Sequence, residues 1–556
     1  MRTAWTIAAA AIVAGPLGFG VSSAYALPKC AEIATNYPTS KAKSDKGNSP
    51  WKLLQSITSQ IVPASGQNAA YCLVELKYVR EINIRIGLPL NSEDGGAGGI
   101  QGAWNGKIQN LGGGGFAGSL GAVTGPTNTG YVGSSTDTGH NSAWCASALG
   151  RPGCAPGGAG FVLDKNNELL WWQVEDFITN SLIEQVHWAQ RLAEFYYDRK
   201  HTRNYWNGCS TGGRQGMELA QKYGDEFDGI YAGVPAMNWN RFQTGELWTG
   251  TVLNSMLGVA GISTAKVNAA NNAAIAACDA NDGVVDGIIG EPRRCTFSAQ
   301  ALKCTGSPGD PATCLTQTEA DAVDKVWDGA RNQAGQRLWG GPTMGTSWTI
   351  VAAGTAGNLN RPGSLPFSYK QAWVEQDVNY DYKNVTIQNF GSAFQKDDVK
   401  FKDYATDSPN LDKLKNKGGK LITWHGGSDP LILPYGSWEY WGRVFDQYGG
   451  PAHTDGFFRA FFFPGVGHCG GGSAPQPPNM FDALVNWVEN GVAPDYLVGT
   501  QGTLRTRKIC KYPNEAVYNG TGSTDDEANF HCVVNSQVPA DLSAYMVSAP
   551  RFKQAP

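Results

Sequence analysis

Several features are scarce or missing in this chain of 556 residues, and each excludes a class of function. Lys and Arg form no cluster: 44 basic against 48 acidic side chains leave a formal charge of -4, so nothing offers nucleic acid or another polyanion an electrostatic footprint. No pair of cysteines has the Cys-x-x-Cys spacing and the seven histidines are scattered, which argues against a zinc site. Beyond the N-terminal stretch no uninterrupted apolar run is long enough to span a bilayer, and no internal repeat is evident.

What is present begins with a leader. Met1-Arg2 opens an apolar, Ala-rich stretch that reaches Ala24-Tyr25-Ala26, the small-x-small pattern at which a signal peptide is cut. Residues 1–26 are therefore expected to be removed, leaving a soluble protein, secreted or periplasmic, with no membrane span after cleavage. Twelve cysteines, an even number in an exported chain, read as disulfides. Glycine, at 71 residues, is nearly twice its usual share, and 18 Trp suit a loop-rich surface handling aromatic or sugar-like ligands. The mature length exceeds one ordinary hydrophobic core, so two domains or one fold with a large insertion are expected.

Between about 80 and 240 strand-like and helix-like segments alternate, the pattern of a mostly parallel α/β sheet. Residues 82–88 alternate with period two. Residues 107–111 form a shorter strand that runs into four glycines, 112–115, and apolar residues from 174 to 197 recur at helical spacing. Residues 204–206 lead into a glycine turn followed by a helix over 214–223. The same style returns late, with strands at 420–424 and 459–463 and a helix over 479–490. From about 240 to 410 the character changes to Ala/Asn/Gly-rich segments with four clustered cysteines. The expected organisation is of the α/β class: one sheet domain in two parts, 27–238 and 411–556, with a lid domain, 239–410, inserted between them.

Gly208-Cys209-Ser210-Thr211-Gly212 matches Gly-x-Ser-x-Gly between a strand-like and a helical segment, the context that motif requires. Glycines two residues either side of Ser210 permit a tight turn that projects its Oγ above the sheet, and the helix start offers amides to an oxyanion. In an α/β-hydrolase the acid and base follow the nucleophile in that order. The strand at 420–424 ends in His425-Gly426-Gly427-Ser428-Asp429-Pro430, which places Asp429 at a strand's C-terminal end, where open α/β sheets bind substrates. His425 in the same loop is expected to shape it by hydrogen bonding. Of the histidines that follow, His453, His468 and His531, only His468 enters a flexible turn after a strong strand. Ser210, Asp429 and His468 are thus the candidate triad, with the Thr211 amide and one glycine of 112–115, Gly115, as the oxyanion hole. A Cys209–Cys469 disulfide would tether the serine loop to the histidine loop, since bridged Cα atoms lie within about 4.4 to 6.8 Å. Cys532 beside His531 offers the same adjacency, but is assigned to Cys510 because both lie in a terminal segment after the last sheet-like elements.

With these pieces assembled the chain resembles the tannase and feruloyl esterase family, which includes bacterial terephthalate-monoester hydrolases. The resemblance rests on Gly-Cys-Ser-Thr-Gly-Gly-Arg-Gln-Gly at 208–216, His-Gly-Gly-Ser-Asp-Pro at 425–430, Pro-Gly-Val-Gly-His-Cys-Gly-Gly-Gly at 464–472 and the tail around 522–526. It implies a serine ester hydrolase without organic cofactor, an inserted lid, and a structural Ca2+ in that lid. The matching stretch runs from Cys278 to Ile288, with the carboxylates of Asp279, Asp282 and Asp286 and the carbonyls of Val284 and Ile288 as hard oxygen donors. Its spacing is not that of an EF-hand. Family pattern and short separation imply the further pairs Cys30–Cys72, Cys278–Cys295, Cys304–Cys314 and Cys510–Cys532, leaving Cys145 and Cys154 as a sixth. Trp348 and Arg361 fall near the positions where the terephthalate-monoester enzymes carry an aromatic and a carboxylate-binding arginine, and Ile432 stands where they carry Phe. The favoured substrate is an ester of an aromatic acid, such as a feruloyl or galloyl ester, small or linked to a polysaccharide. A terephthalate monoester is the alternative, and a ligand-binding relative without catalysis or a peptidase on the same fold are the rivals.

Overall fold

The computed structural model describes residues 26–36, 54–78, 81–141, 158–355 and 357–534. The expected leader, apart from Ala26, and the expected Cys145–Cys154 bridge lie outside the described residues.

A nine-stranded sheet organises the chain: β1 (Leu54–Val62), β2 (Tyr71–Tyr78), β3 (Asn83–Pro89), β4 (Lys107–Leu111), β5 (Val132–Thr136), β6 (Arg203–Cys209), β7 (Gly229–Gly233), β8 (Lys420–Gly426) and β9 (Phe458–Phe463). Their spatial order is β1-β2-β3-β5-β4-β6-β7-β8-β9. Pairing is antiparallel from β1 to β5 and parallel from there to β9. β8 is buried along almost its whole length, which is why Leu-Ile-Thr-Trp reads as a continuous run rather than alternating: a central parallel strand is covered on both faces. The register Cys209 to Gly233, Gly233 to Trp424 and Gly426 to Phe463 aligns the C-terminal ends of β6, β7, β8 and β9 along one edge.

Four strands of this sheet, β1, β2, β5 and β7, were not expected. β1 is an edge strand whose apolar residues, Leu54, Ile57, Ile61 and Val62, do not alternate, so it gives no period-two signal. β2 lies upstream of the segment in which alternation was recognised. β5, Val-Gly-Ser-Ser-Thr, is fully buried although polar; the Ser134 hydroxyl donates to Asn110 Oδ1 at 2.7 Å and accepts from Gln185 at 3.0 Å. Hydrogen bonding replaces apolar character there.

The helix expected over 174–197 comprises an α-helical turn Trp171–Glu175, a π-helical segment Asp176–Asn180 and helix α1 (Ser181–Tyr197). Helix α2 (Thr211–Tyr223) follows β6. Between β7 and β8 the chain adds no strand to the large sheet. It forms helix α3 (Trp239–Gly245), further helices and a three-stranded sheet of Ala352–Thr355, Asn358–Pro362 and Ile262–Ser263. This excursion shares one buried cluster with the sheet, in which Phe116, Val174 and Phe177 join Trp239, Trp327 and Trp373. The terminal segment, expected to lack sheet, carries two hairpins: Tyr496–Gln501 with Arg505–Cys510, and Asn514–Tyr518 with Phe530–Val534. Among the described residues, five disulfides join Cys30 to Cys72, Cys209 to Cys469, Cys278 to Cys295, Cys304 to Cys314 and Cys510 to Cys532. Among the described residues no helix is long and apolar enough to cross a membrane. A mostly parallel sheet with the Gly-x-Ser-x-Gly turn at the end of a central strand is the α/β-hydrolase fold.

Candidate active site

Ser210 stands between the last residue of β6 and the first of α2, at φ 64° and ψ -126°. A non-glycine residue rarely adopts this backbone, which costs on the order of 1–3 kcal/mol and persists only where the surroundings impose it. Here they do: the Ser210 amide donates to Gly233 O at 3.0 Å, and the Ser210 carbonyl accepts from Arg214 N at 2.9 Å and Ala236 N at 3.2 Å. The two motif glycines are sterically required. A Cβ on Gly208 would lie 2.4 Å from Gly212 O, and one on Gly212 would lie 2.9 Å from Gly113 O.

The glycine loop after β4 is held against this turn. Gly113 N donates to Gln215 Oε1 at 2.9 Å, and the Thr211 hydroxyl donates to Gly115 O at 2.5 Å, so the two residues expected to form the oxyanion hole are directly bonded. The first amides of a helix have no acceptor within it, which leaves the start of α2 able to bind an oxyanion.

Asp429 lies three residues past β8 and His468 five past β9. His468 Nδ1 is 2.9 Å from Asp429 Oδ2, and the other oxygen of Asp429 accepts from Leu431 N at 2.8 Å and Ile432 N at 2.9 Å. Asp429 is wholly buried. Burial alone would raise its pKa, but hydrogen bonds from His425 and His468 outweigh it and hold the carboxyl at about 2. His425 braces the loop as expected, with Nδ1 2.7 Å from the Ser437 hydroxyl and Nε2 2.7 Å from the Ile432 carbonyl. The Cys209–Cys469 bridge, with Cα atoms 6.1 Å apart, joins the neighbours of Ser210 and His468. An ionised carboxylate oriented on an imidazole, beside a serine on a strained turn, has the parts needed for nucleophilic attack with general base assistance.

A partly open pocket borders Ser210 and Thr211. Phe116, Trp239, Phe242, Leu365, Leu431 and Ile432 build most of its wall, so Ile432 is at the site. Trp348 and Arg361, expected as substrate-binding residues, are not among its lining. Trp348 is buried edge-on against Trp327, and Arg361 is exposed on the strand Asn358–Pro362, paired with Ala353. The hairpin formed by that strand directs Arg361 to solvent, which a position counted across a gap in the lid does not reveal. Sequence reasoning missed Trp239, Phe242, Gln243 and Glu246, which also line the cavity. Their spacing of i, i+3, i+4 and i+7 is the signal that would have found them. Arg214 of α2 is buried, donates to the carbonyls of Phe177 and Ile178 at 3.2 Å each, and stacks on Phe177 and on Trp239 of the cavity wall.

The acidic loop expected to hold calcium folds back on Asp279, whose carboxylate accepts from the amides of Asp286, Gly287 and Ile288 at 3.0, 2.9 and 3.2 Å. Asp282 accepts from Val284 N, and Asp286 pairs with Arg507. Asp310 lies beside Cys304 and Cys314, but their sulfurs are bonded to each other and are not thiolate ligands.

The profile of the family described as "Tannase and feruloyl esterase" matches residues 100–533. The chain is 35% identical over 449 residues to a probable feruloyl esterase of Arthroderma benhamiae, covering 77% of this chain and 80% of that protein. It is 31% identical over 389 residues to a probable feruloyl esterase B-1 of Aspergillus fumigatus, covering 65% and 71%. Feruloyl esterase B from Aspergillus oryzae superposes with a TM-score of 0.73 at 25% identity, covering 89% of this chain and 100% of that one. Tannin acyl hydrolase from Aspergillus niger superposes with a TM-score of 0.74 at 22% identity, covering 94% and 98%, a likeness of fold alone. With the family match running from the strand before the glycine loop to the last hairpin, the chain belongs to the tannase and feruloyl esterase family and is a carboxylic ester hydrolase.

Proposed function

We propose that this esterase is exported and cleaves esters of aromatic acids such as feruloyl or galloyl esters through a Ser210–His468–Asp429 acyl-enzyme mechanism. Ser210 attacks the ester carbonyl while His468 takes the hydroxyl proton and returns it to the leaving alcohol. Asp429 orients the imidazole and stabilises its cation, and the amides of Thr211 and Gly115 receive the oxyanion. Water, activated by the same imidazole, then releases the acid. The observation that carries this reading is the pocket lining: Ser210 stands beside an aromatic and aliphatic wall of Phe116, Trp239, Phe242, Leu365, Leu431 and Ile432, with no Lys or Arg in it. A wall without a cation also weighs against a terephthalate monoester, whose free carboxylate would be buried without a counter-charge.

Residues 239–410 act as the lid over this cavity, through α3 and Leu365. The donors of the acidic loop fit a structural calcium ion in kind: three carboxylates, Asp279, Asp282 and Asp286, with the Val284 and Ile288 carbonyls, all oxygen. Bound there, the ion would screen acids that the loop crowds together; burial pushes Asp282 up to about 6 and also raises Asp286. Five disulfides and the N-terminal leader support export to an oxidising compartment.

The test is kcat/KM on methyl ferulate, methyl gallate and a terephthalate monoester, with Ser210→Ala beside the parent. The expected outcome is turnover of a phenolic ester and a loss of at least about a thousandfold in the variant. Full activity of Ser210→Ala refutes the nucleophile, and preference for the terephthalate monoester refutes the substrate class.

A further inference from the structure

Beyond Ser210 and Thr211, two polar side chains line the cavity, and both come from α3 and its C-terminal edge: Gln243 and Glu246. Glu246 is 1% exposed and Gln243 4% exposed. In each the Oε1 atom is buried without a hydrogen-bond partner. A buried polar atom left unpaired costs about 1–3 kcal/mol, so two of them on side chains that line one otherwise apolar pocket need an explanation.

We propose that Glu246 and Gln243 are specificity-determining residues that bind hydroxyl groups on the acyl ring of the substrate. This rests on the reading of Ser210 as the nucleophile of an aromatic ester hydrolase. Burial, and then the nearby Asp429 carboxylate, push the Glu246 carboxyl well above the ordinary carboxylate range. A neutral carboxyl has an O–H to give and an acceptor oxygen to offer, and the Gln243 amide oxygen accepts. A phenolic hydroxyl, donor and acceptor at once, satisfies both kinds of group. A methyl ether supplies only an acceptor and leaves Gln243 Oε1 unpaired. A ring carboxylate supplies no donor and stands against Glu246 with no Lys or Arg in the lining to compensate it. Discrimination by withheld hydrogen bonds is strong because the groups of the site, once unpaired, stay buried.

The test compares methyl 4-hydroxycinnamate and methyl 3,4-dihydroxycinnamate with methyl cinnamate for the parent, Glu246→Leu, Gln243→Leu and Glu246→Gln. The quantity read is the ratio of kcat/KM between hydroxylated and unsubstituted ester within one preparation, which is independent of how much of a variant folds. The parent is expected to favour a hydroxylated ester by about tenfold or more. Each Leu variant is expected to bring the ratio to within about threefold of one, whereas Glu246→Gln, which keeps a donor and an acceptor, retains most of the preference. A ratio undiminished in both Leu variants overturns the assignment. An equal fall on all three esters also overturns it, because that is the effect of a residue that only supports the fold or the triad. Failure of the parent on every aromatic ester, with Ser210 still reacting with a phosphonate, would instead overturn the aromatic-ester reading on which the assignment rests.

Discussion

Removing the Cys209–Cys469 bridge separates two things the structure combines at that point, chain entropy and catalytic geometry. The bridge closes a loop of sequence separation 260, and the short bridges inside it, with separations of 17 and 10, shorten the effective loop little. On the chain-entropy model a loop of that length is worth about 5–6 kcal/mol at 25 °C. Unfolding entropy of about 2 cal/mol/K per residue gives a chain of this size roughly 1 kcal/mol of stability per degree near its midpoint, so the double variant Cys209→Ala/Cys469→Ala should melt about 5 °C lower. Ser210 and His468 are each one residue from a half-cystine, and the Cα atoms of the two cysteines are 6.1 Å apart. Loosening that distance by about 1 Å should lower kcat on the order of tenfold to a hundredfold at 25 °C, well below the melt. Differential scanning calorimetry and steady-state kinetics on the same sample read the two effects. A variant that melts lower yet keeps kcat within twofold would refute the positioning argument, and an unchanged melting temperature would refute the entropic one.

Asp429→Asn should lower kcat by on the order of 10⁴-fold while leaving KM within a few-fold, because the amide no longer orients the imidazole; a smaller loss than tenfold would count against Asp429 as the acid. The folded-state pKa of Asp429, about 2, lies below its usual value, so its ionisation stabilises the fold above about pH 4. That contribution, about 2 kcal/mol, is lost as pH falls towards 2, and denaturant melts of parent and variant should converge over that window. EGTA should lower the melting temperature by about 2–3 °C if calcium was bound at a hundredfold its Kd, with restoration by Ca2+ and not by Mg2+; no shift on chelation refutes the calcium assignment. Arg214→Met should destabilise by about 2–4 kcal/mol in urea melts, since the Phe177 and Ile178 carbonyls lose their donors and Trp239 loses its stacked guanidinium.

The candidate triad stands out in the sequence because its acid and base each follow a strongly apolar strand and all three residues sit among glycines, so the change from buried strand to tight turn marks the sheet edge. Ser210 had its motif, Asp429 followed the run over 420–424, and His468 followed the run over 459–463. The adjacency of Cys209 and Cys469 to two of them supplied the distance. The cavity wall was not legible. Glu246 looks in sequence like any solvent-facing glutamate, and only the folded chain reveals that it is buried and lines the same pocket as Ile432. Trp239 lies where the composition shifts into the lid, so its helix was read as a boundary. β5 was missed because its burial is achieved by Ser134, Asn110 and Gln185 bonding one another, a long-range arrangement that leaves no local apolar pattern.

Two buried carboxyls lie near each other at this site, and their surroundings drive their pKa values in opposite directions. Asp429 is 0% exposed and Glu246 1%, so desolvation acts on both. Asp429 escapes it because two backbone amides and two imidazoles converge on its oxygens, and charge there is answered on every side. Glu246 has no such set: one oxygen has no partner, a single backbone hydrogen bond at Leu433 favours its charged form, and the nearby Asp429 carries charge of the same sign. Each therefore fixes the other's state, since an ionised Asp429 makes ionisation of Glu246 more costly, and a neutral Glu246 leaves the Asp429–His468 pair without a competing anion. Groups whose environments drive their pKa values apart mark a division of labour. Here the division falls between the carboxylate that serves the imidazole and the carboxyl that faces the cavity.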